Sequence, residues 1–202
     1  MKDSPSSNII PHGYKPFLEF NLRKNLRAMI ILNLVGFALF LAAAFLMPFY
    51  IRLVRPQDNA GISGSISGFA EMGRFLFFLV LDVFLLIILH EGVHGMCFWL
   101  ITKKRPKFFI GPGYAAAAAP NCLIPKTPYL VTALSPLLVL TVVGLFLIPF
   151  VSPGWLFFLG LFVVMNISGA VGDLWVAGSI LPMPKTLLVQ DFGDRVVVYQ
   201  PE

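Results

Sequence analysis

The stretch Phe75–Ile101, FLFFLVLDVFLLIILHEGVHGMCFWLI, decides how this chain folds. It is apolar almost throughout, and its 27 residues exceed the roughly 20 that a helix needs to cross a bilayer at about 1.5 Å per residue. Yet Asp82, His90, Glu91 and His94 sit inside it. Ionisable groups at that depth are costly in hydrocarbon and mark functional positions.

Composition extends this reading to the whole chain. Of 202 residues, 57% are hydrophobic and only 12% charged, about half the charged share of a soluble domain. The sequence therefore predicts an all-α polytopic membrane protein, a single domain over 1–202. Its net charge of +5 reports orientation and contact with anionic lipid rather than nucleic-acid binding. Two cysteines, Cys97 in a span and Cys122 in a loop, imply no disulfide framework.

Four spans are expected, at about 28–51, 75–101, 129–151 and 155–181. The first is too long for the apolar core of a signal peptide and reads as a retained anchor. Residues 1–27 read as a polar, basic arm broken by Pro5, Pro11 and Pro16. His12 in this arm reads as a solvated loop residue. The 52–74 loop holds a Gly/Ser stretch, 61–68, that suits a flexible or gate-like segment. Residues 106–120 read as a β-hairpin: Phe108, Phe109 and Ile110 favour a strand, and Gly111-Pro112-Gly113 a turn. The tail, 182–202, reads as a small extended strand or hairpin. Loop 101–127 carries five basic and no acidic residues, whereas 52–74 carries three basic and two acidic. The positive-inside rule then places both termini and the 101–127 loop in the cytosol, and the chain in the cell membrane.

His90 and His94 lie four apart, hence on one helix face, where two imidazoles can share a metal ion. Glu91 is turned by about 100° from His90 and can approach a water on that ion without becoming a ligand. A catalytic zinc takes three protein ligands and one open position. His12 being remote, the third ligand should be a carboxylate. Only Asp82, Glu91 and Asp173 lie within spans. Asp82 is two turns before His90, about 12 Å away along the same helix. Asp173, on a span running in the same direction, falls at nearly the depth of the two histidines. It shares a stripe with Asn166, Gly169 and Ala170. The expected centre is Zn²⁺ on His90, His94 and Asp173.

His90-Glu91-Gly92-Val93-His94 in one span, a hairpin-like loop, and Asn166 to Asp173 in a later span resemble the site-two-protease-like intramembrane metalloproteases. The layout over roughly 75–200 is most similar to the small bacterial zincin peptidases of that type. The resemblance implies His90, His94 and Asp173 as ligands and Glu91 as catalytic base. Peptide bonds of membrane or membrane-associated proteins would be cut near the cytosolic face, with Asn166 holding the substrate backbone or the oxyanion. An unwound substrate would add as a strand to the 106–120 hairpin. A non-catalytic metal-binding membrane protein and an ion or proton pathway through Asp82 are the alternatives. Cys97, three residues after His94, reads as core packing. The sequence leaves substrate identity and oligomeric state open.

Overall fold

The structure is a computed structural model that describes residues 10–21, 25–56, 68–111 and 114–202. In chain order the elements are β1 (Tyr14–Asn21), α1 (Leu26–Val54), α2 (Phe69–Thr102), β2 (Lys107–Gly111), β3 (Tyr114–Ala118) and β4 (Ile124–Pro125). Then come α3 (Lys126–Leu147), α4 (Leu156–Gly169), α5 (Val171–Ile180), β5 (Leu188–Asp191) and β6 (Arg195–Pro201). The fold is mostly helical. Four helical stretches are long and apolar enough to cross a membrane: α1, α2, α3 and the α4–α5 stretch Pro153–Ile180. Their outward faces carry exposed Leu34, Phe37, Phe45, Phe77, Val80 and Phe146. Exposed apolar surface on this scale suits lipid as the solvent. The gate-like segment expected in 52–74 falls largely on 57–67, outside the described residues.

Helix ends differ from expectation by a few residues, and two differences are larger. The fourth span is broken at Ala170, which is the C-cap of α4 and the N-cap of α5. Weak helix formers surround the break: Gly169, Gly172 and the β-branched Val171. The second difference concerns the termini. The tail forms the expected hairpin, β5–β6, but the described part of the arm is a strand rather than a loose segment, and neither stands alone. Instead β1, β6, β5 and β4 form one antiparallel sheet in that order. Pro16 is compatible because β1 is an edge strand, where a missing N–H costs no ladder bond, and the register shifts just after it.

Two cores hold the molecule. Met47, Ile51, Ile148, Leu156 and Val163 join α1, α4 and the end of α3 at one pole. At the other pole the sheet packs through Phe20, Val189, Val196 and Val198 onto Phe98 of α2, Tyr129 of α3 and Ile180 of α5. Pairing of β1 with β6 puts both of these strands at this second pole. Buried Lys126 secures it, donating from Nζ to the carbonyls of Leu181 (2.8 Å) and Met183 at the end of α5. Towards the first pole, the Phe75 and Phe78 rings of α2 pack against Phe158. This aromatic seam sets α2 beside α4 and brings His90 level with the break at Ala170.

The hairpin forms as expected, with Phe108 opposite Ala117 and Phe109 opposite Ala116. The alanines are strand despite their helix propensity, because a run of five between a turn and Pro120 is too short to nucleate a helix. The hairpin folds back along α2. Gly95 permits this: a Cβ there would lie 2.6 Å from the Phe108 ring.

Candidate metal centre

His90, His94 and Asp173 meet where α2 faces the start of α5, each offering a ligand atom within 4.8 Å of the others. Asp173 Oδ2 lies 3.1 Å from His90 Nε2, and Oδ1 lies 3.4 Å from His94 Nε2. The remaining ring nitrogens decide what these contacts are. His90 Nδ1 lies 3.1 Å from Asn166 Oδ1. The Asn166 amide is oriented by its other end, where Nδ2 donates to the Pro136 and Leu137 carbonyls and to Thr141 Oγ1. Its Oδ1 must therefore accept, so His90 Nδ1 carries the proton. His94 Nδ1 lies 3.0 Å from the Thr132 carbonyl, again an obligate acceptor. In the neutral imidazoles both Nε2 atoms then present lone pairs to a carboxylate. In that state three acceptors converge with no donor among them, an arrangement that a bound cation would satisfy.

The spacing suits zinc. A tetrahedral ion about 2 Å from each donor needs donors about 3.4 Å apart, close to the observed separations. The outer partners also fit: a ligating histidine usually donates its other N–H to a carbonyl or carboxylate, fixing tautomer and ring orientation.

Pro136 explains why the Thr132 carbonyl is available. Within a helix that carbonyl would accept from the N–H four residues on, and proline has none. α3 runs on through Pro136, and the vacated acceptor serves His94. Pro136→Ala would supply a competing N–H. Because a carbonyl keeps a second lone pair, the expected loss of zinc affinity is about tenfold, the low end for such outer partners. A competition titration against a chromophoric chelator measures it.

Glu91 is half-buried beside the cluster, and its Oε2 accepts from the Ala117 backbone N–H at 2.6 Å. The carboxylate of the motif is thus aimed by the hairpin. It lines a cavity of about 160 Å³ together with His94, Asp173, Tyr129, Ala115 and Arg195. Across this cavity Tyr129 donates to Asp191 Oδ2 at 2.9 Å, and the Gly193 N–H donates to Asp191 Oδ1 at 2.8 Å. Burial pushes the Asp191 carboxyl up to about 6, against those two hydrogen bonds, which favour its ionised form.

The other residues singled out in the sequence lie outside this cluster. Asn166 is 1% exposed and both ends of its amide are engaged. It stands behind His90 and orients that ring. Asp82 pairs with neither Arg74 nor Asn33. Arg74 faces Glu71 at 3.9 Å, Asn33 donates to the Met29 carbonyl, and Asp82 Oδ2 is buried with no hydrogen-bond partner. His12 is exposed in a turn, remote from the centre in sequence and outside its ligand cluster. Cys97 and Cys122 are free thiols, and neither belongs to the cluster. Sequence reasoning missed Thr132, Ala117, Tyr129 and Asp191. A proline inside an apolar span, four residues after a threonine, was the one available sign of the first.

No curated protein and no solved structure matches the sequence. A family model described as "putative zincin peptidase" matches residues 83–188, more than half of the chain. That segment holds the paired histidines, the hairpin, Pro136, Asn166 and Asp173. With a zincin name and a three-acceptor cluster in agreement, zinc is the implied ion, and the chain belongs to this zincin peptidase family.

Proposed function

We propose that this protein is a zinc-dependent endopeptidase whose active site lies within the membrane near the cytosolic face. Its substrates would be membrane or membrane-associated proteins. His90, His94 and Asp173 are the proposed ligands and Glu91 the proposed general base. The observation that carries this reading is the convergence of three acceptors, two of them fixed in tautomer from behind, next to a carboxylate that is not one of them. Zn²⁺, when bound, supplies Lewis-acid activation of water and of the scissile carbonyl. Glu91 takes the proton of the attacking water and passes it to the leaving amine. The Ala117 N–H keeps its Oε2 directed while Oε1 remains available.

Depth supports the intramembrane part. His90 and His94 stand 12 and 8 residues before Thr102, the end of α2, about 18 and 12 Å along the axis. Lys103, Lys104 and Arg105 follow directly, the composition of a cytosolic boundary. Water would arrive from the sheet pole, where Asp194 and Arg195 line the cavity.

Substrate capture by strand addition is the natural partner of this site. The Ala117 N–H leaves the hairpin ladder to reach Glu91, so β3 turns that edge towards the cavity. By the period of two, the Ala115 N–H points the same way. A peptide unwound from a helix would find backbone donors and acceptors there. Ala115→Pro removes one donor and should leave the hairpin intact, since proline is tolerated where the N–H faces away from the ladder. The variant is expected to keep its zinc and to lose about tenfold in kcat/KM, one hydrogen bond's worth in a dry site. Unchanged turnover would exclude this edge.

The overall reading is tested on purified protein with a single-span membrane protein as substrate. One zinc per chain is expected, with cleavage abolished by chelation and restored by Zn²⁺. Equal turnover by stripped and reloaded protein would remove the peptidase reading. Zinc bound without cleavage would favour a non-catalytic metal-binding protein, and transport dependent on Asp82 would favour a proton pathway.

A further inference from the structure

The turn between β5 and β6 lies beyond residues 83–188, yet it forms a wall of the catalytic cavity. Gly193 at its tip has φ +91°, a conformation that favours glycine. A Cβ there would lie 3.0 Å from the Phe109 ring and 3.3 Å from the Ala116 Cβ, so the tip rests directly on the hairpin. Phe109 and Ala116 are cross-strand partners and share one hairpin face. Phe108 is on the opposite face, against Gly95 of α2. The hairpin is therefore gripped between α2 and the turn, and the gripped strand is the one whose Ala117 N–H holds Glu91.

Besides the Phe192 N–H bond to the Arg195 carbonyl at 2.8 Å, Asp191 fixes the turn. Its Oδ1 accepts from the Gly193 N–H within the turn, and its Oδ2 accepts from Tyr129 on α3. Asp191 and Tyr129 are both buried, at 8% and 3% exposure. One carboxylate thus shapes the tip and ties it to the helix that carries Thr132, the partner of His94.

We propose that Asp191 is a positioning residue of the peptidase. It latches the β5–β6 turn to Tyr129, the turn holds the hairpin against α2, and the hairpin holds Glu91. This rests on the peptidase reading for its catalytic consequence. The β5–β6 turn is accordingly part of the catalytic unit, although the family match ends at residue 188, before it. Asp191 lines the cavity, its hydrogen bonds go to Tyr129 and Gly193 rather than to the proposed ligands, and it acts through backbone placement.

The test uses the full chain in detergent, with three variants and two readouts. Asp191→Ala removes both bonds, Tyr129→Phe removes one, and Asp191→Asn keeps a side-chain acceptor for Gly193 and a polar partner for Tyr129. Backbone amide exchange over 107–118 should accelerate at least tenfold in Asp191→Ala, less in Tyr129→Phe, and stay near wild type in Asp191→Asn. Cleavage by the zinc-loaded proteins should follow the same order, with kcat falling about tenfold in Asp191→Ala at unchanged zinc content and nearly unchanged KM. The double variant Asp191→Ala/Tyr129→Phe should be no worse than Asp191→Ala alone. Wild-type exchange in both Asp191→Ala and Tyr129→Phe would overturn the latch. So would faster exchange with wild-type kcat. If the wild-type chain cleaves nothing, the peptidase reading fails, and the exchange data still decide whether Asp191 holds the hairpin. Should Asp191→Ala fail to fold, Tyr129→Phe carries the test.

Discussion

Glu91→Gln is expected to reduce kcat by about 100- to 10,000-fold, the usual contribution of a positioned general acid–base, while the zinc content stays at wild type. The two halves of this result come from separate parts of the geometry. Glu91 is outside the cluster of His90, His94 and Asp173, so its charge is not needed to hold the ion. Glutamine has nearly the same shape, and its amide oxygen can still accept from the Ala117 N–H. The hairpin should remain seated and KM should change little. What disappears is a group that can take a proton. Zinc analysis and turnover of one preparation on a single-span substrate measure both. A Gln variant that kept more than a tenth of wild-type kcat would place the base elsewhere. One that lost zinc as well would make Glu91 a ligand.

Much of this centre was legible in the sequence, because helical periodicity and span depth are one-dimensional quantities. Spacing alone put His90 and His94 on one face, and counting residues from the span ends brought Asp173 to their level. Strand propensity and turn residues gave the hairpin. The illegible parts depend on backbone groups and on distant pairing. Thr132 serves through its carbonyl, which no side-chain pattern reports. Ala117 serves through its N–H, in a run of identical alanines. Asp191 lies in a tail that reads only as a small strand or hairpin, and its burial follows from the packing of the sheet onto Tyr129 of α3. Asn166 and Asp173 were read as one polar stripe with separate tasks. Both reach the same imidazole, from opposite ring nitrogens. Their seven-residue spacing brackets His90 because α4 gives way to α5 between them.

Asp173→Asn should weaken zinc binding by two to three orders of magnitude. Zinc held by four ligands is worth roughly 10–16 kcal/mol, so each ligand contributes about 2.5–4 kcal/mol, and 1.4 kcal/mol is a factor of ten. Asparagine keeps the volume and leaves the break at Ala170 untouched, so the loss reports donor chemistry rather than helix position. It also turns an acceptor into a donor. Asp173 Oδ2 is 3.1 Å from His90 Nε2 and Oδ1 is 3.4 Å from His94 Nε2. An amide nitrogen at either position would donate to the lone pair that the ion needs. The metal-free variant gains a hydrogen bond as the metal-bound form loses a ligand, and both effects act in the same direction. Asp82→Asn is the matching control. It removes the other carboxylate of the span set that lies outside the motif, about 12 Å along α2 from His90, and zinc affinity should stay at wild type. Titration of the two variants against a chromophoric chelator separates them. Equal losses from both would mean that any charge within the spans holds the ion, and the three-residue centre would then be wrong. A loss confined to Asp173 ties the metal to the one carboxylate that the break in the fourth span turns towards His90 and His94.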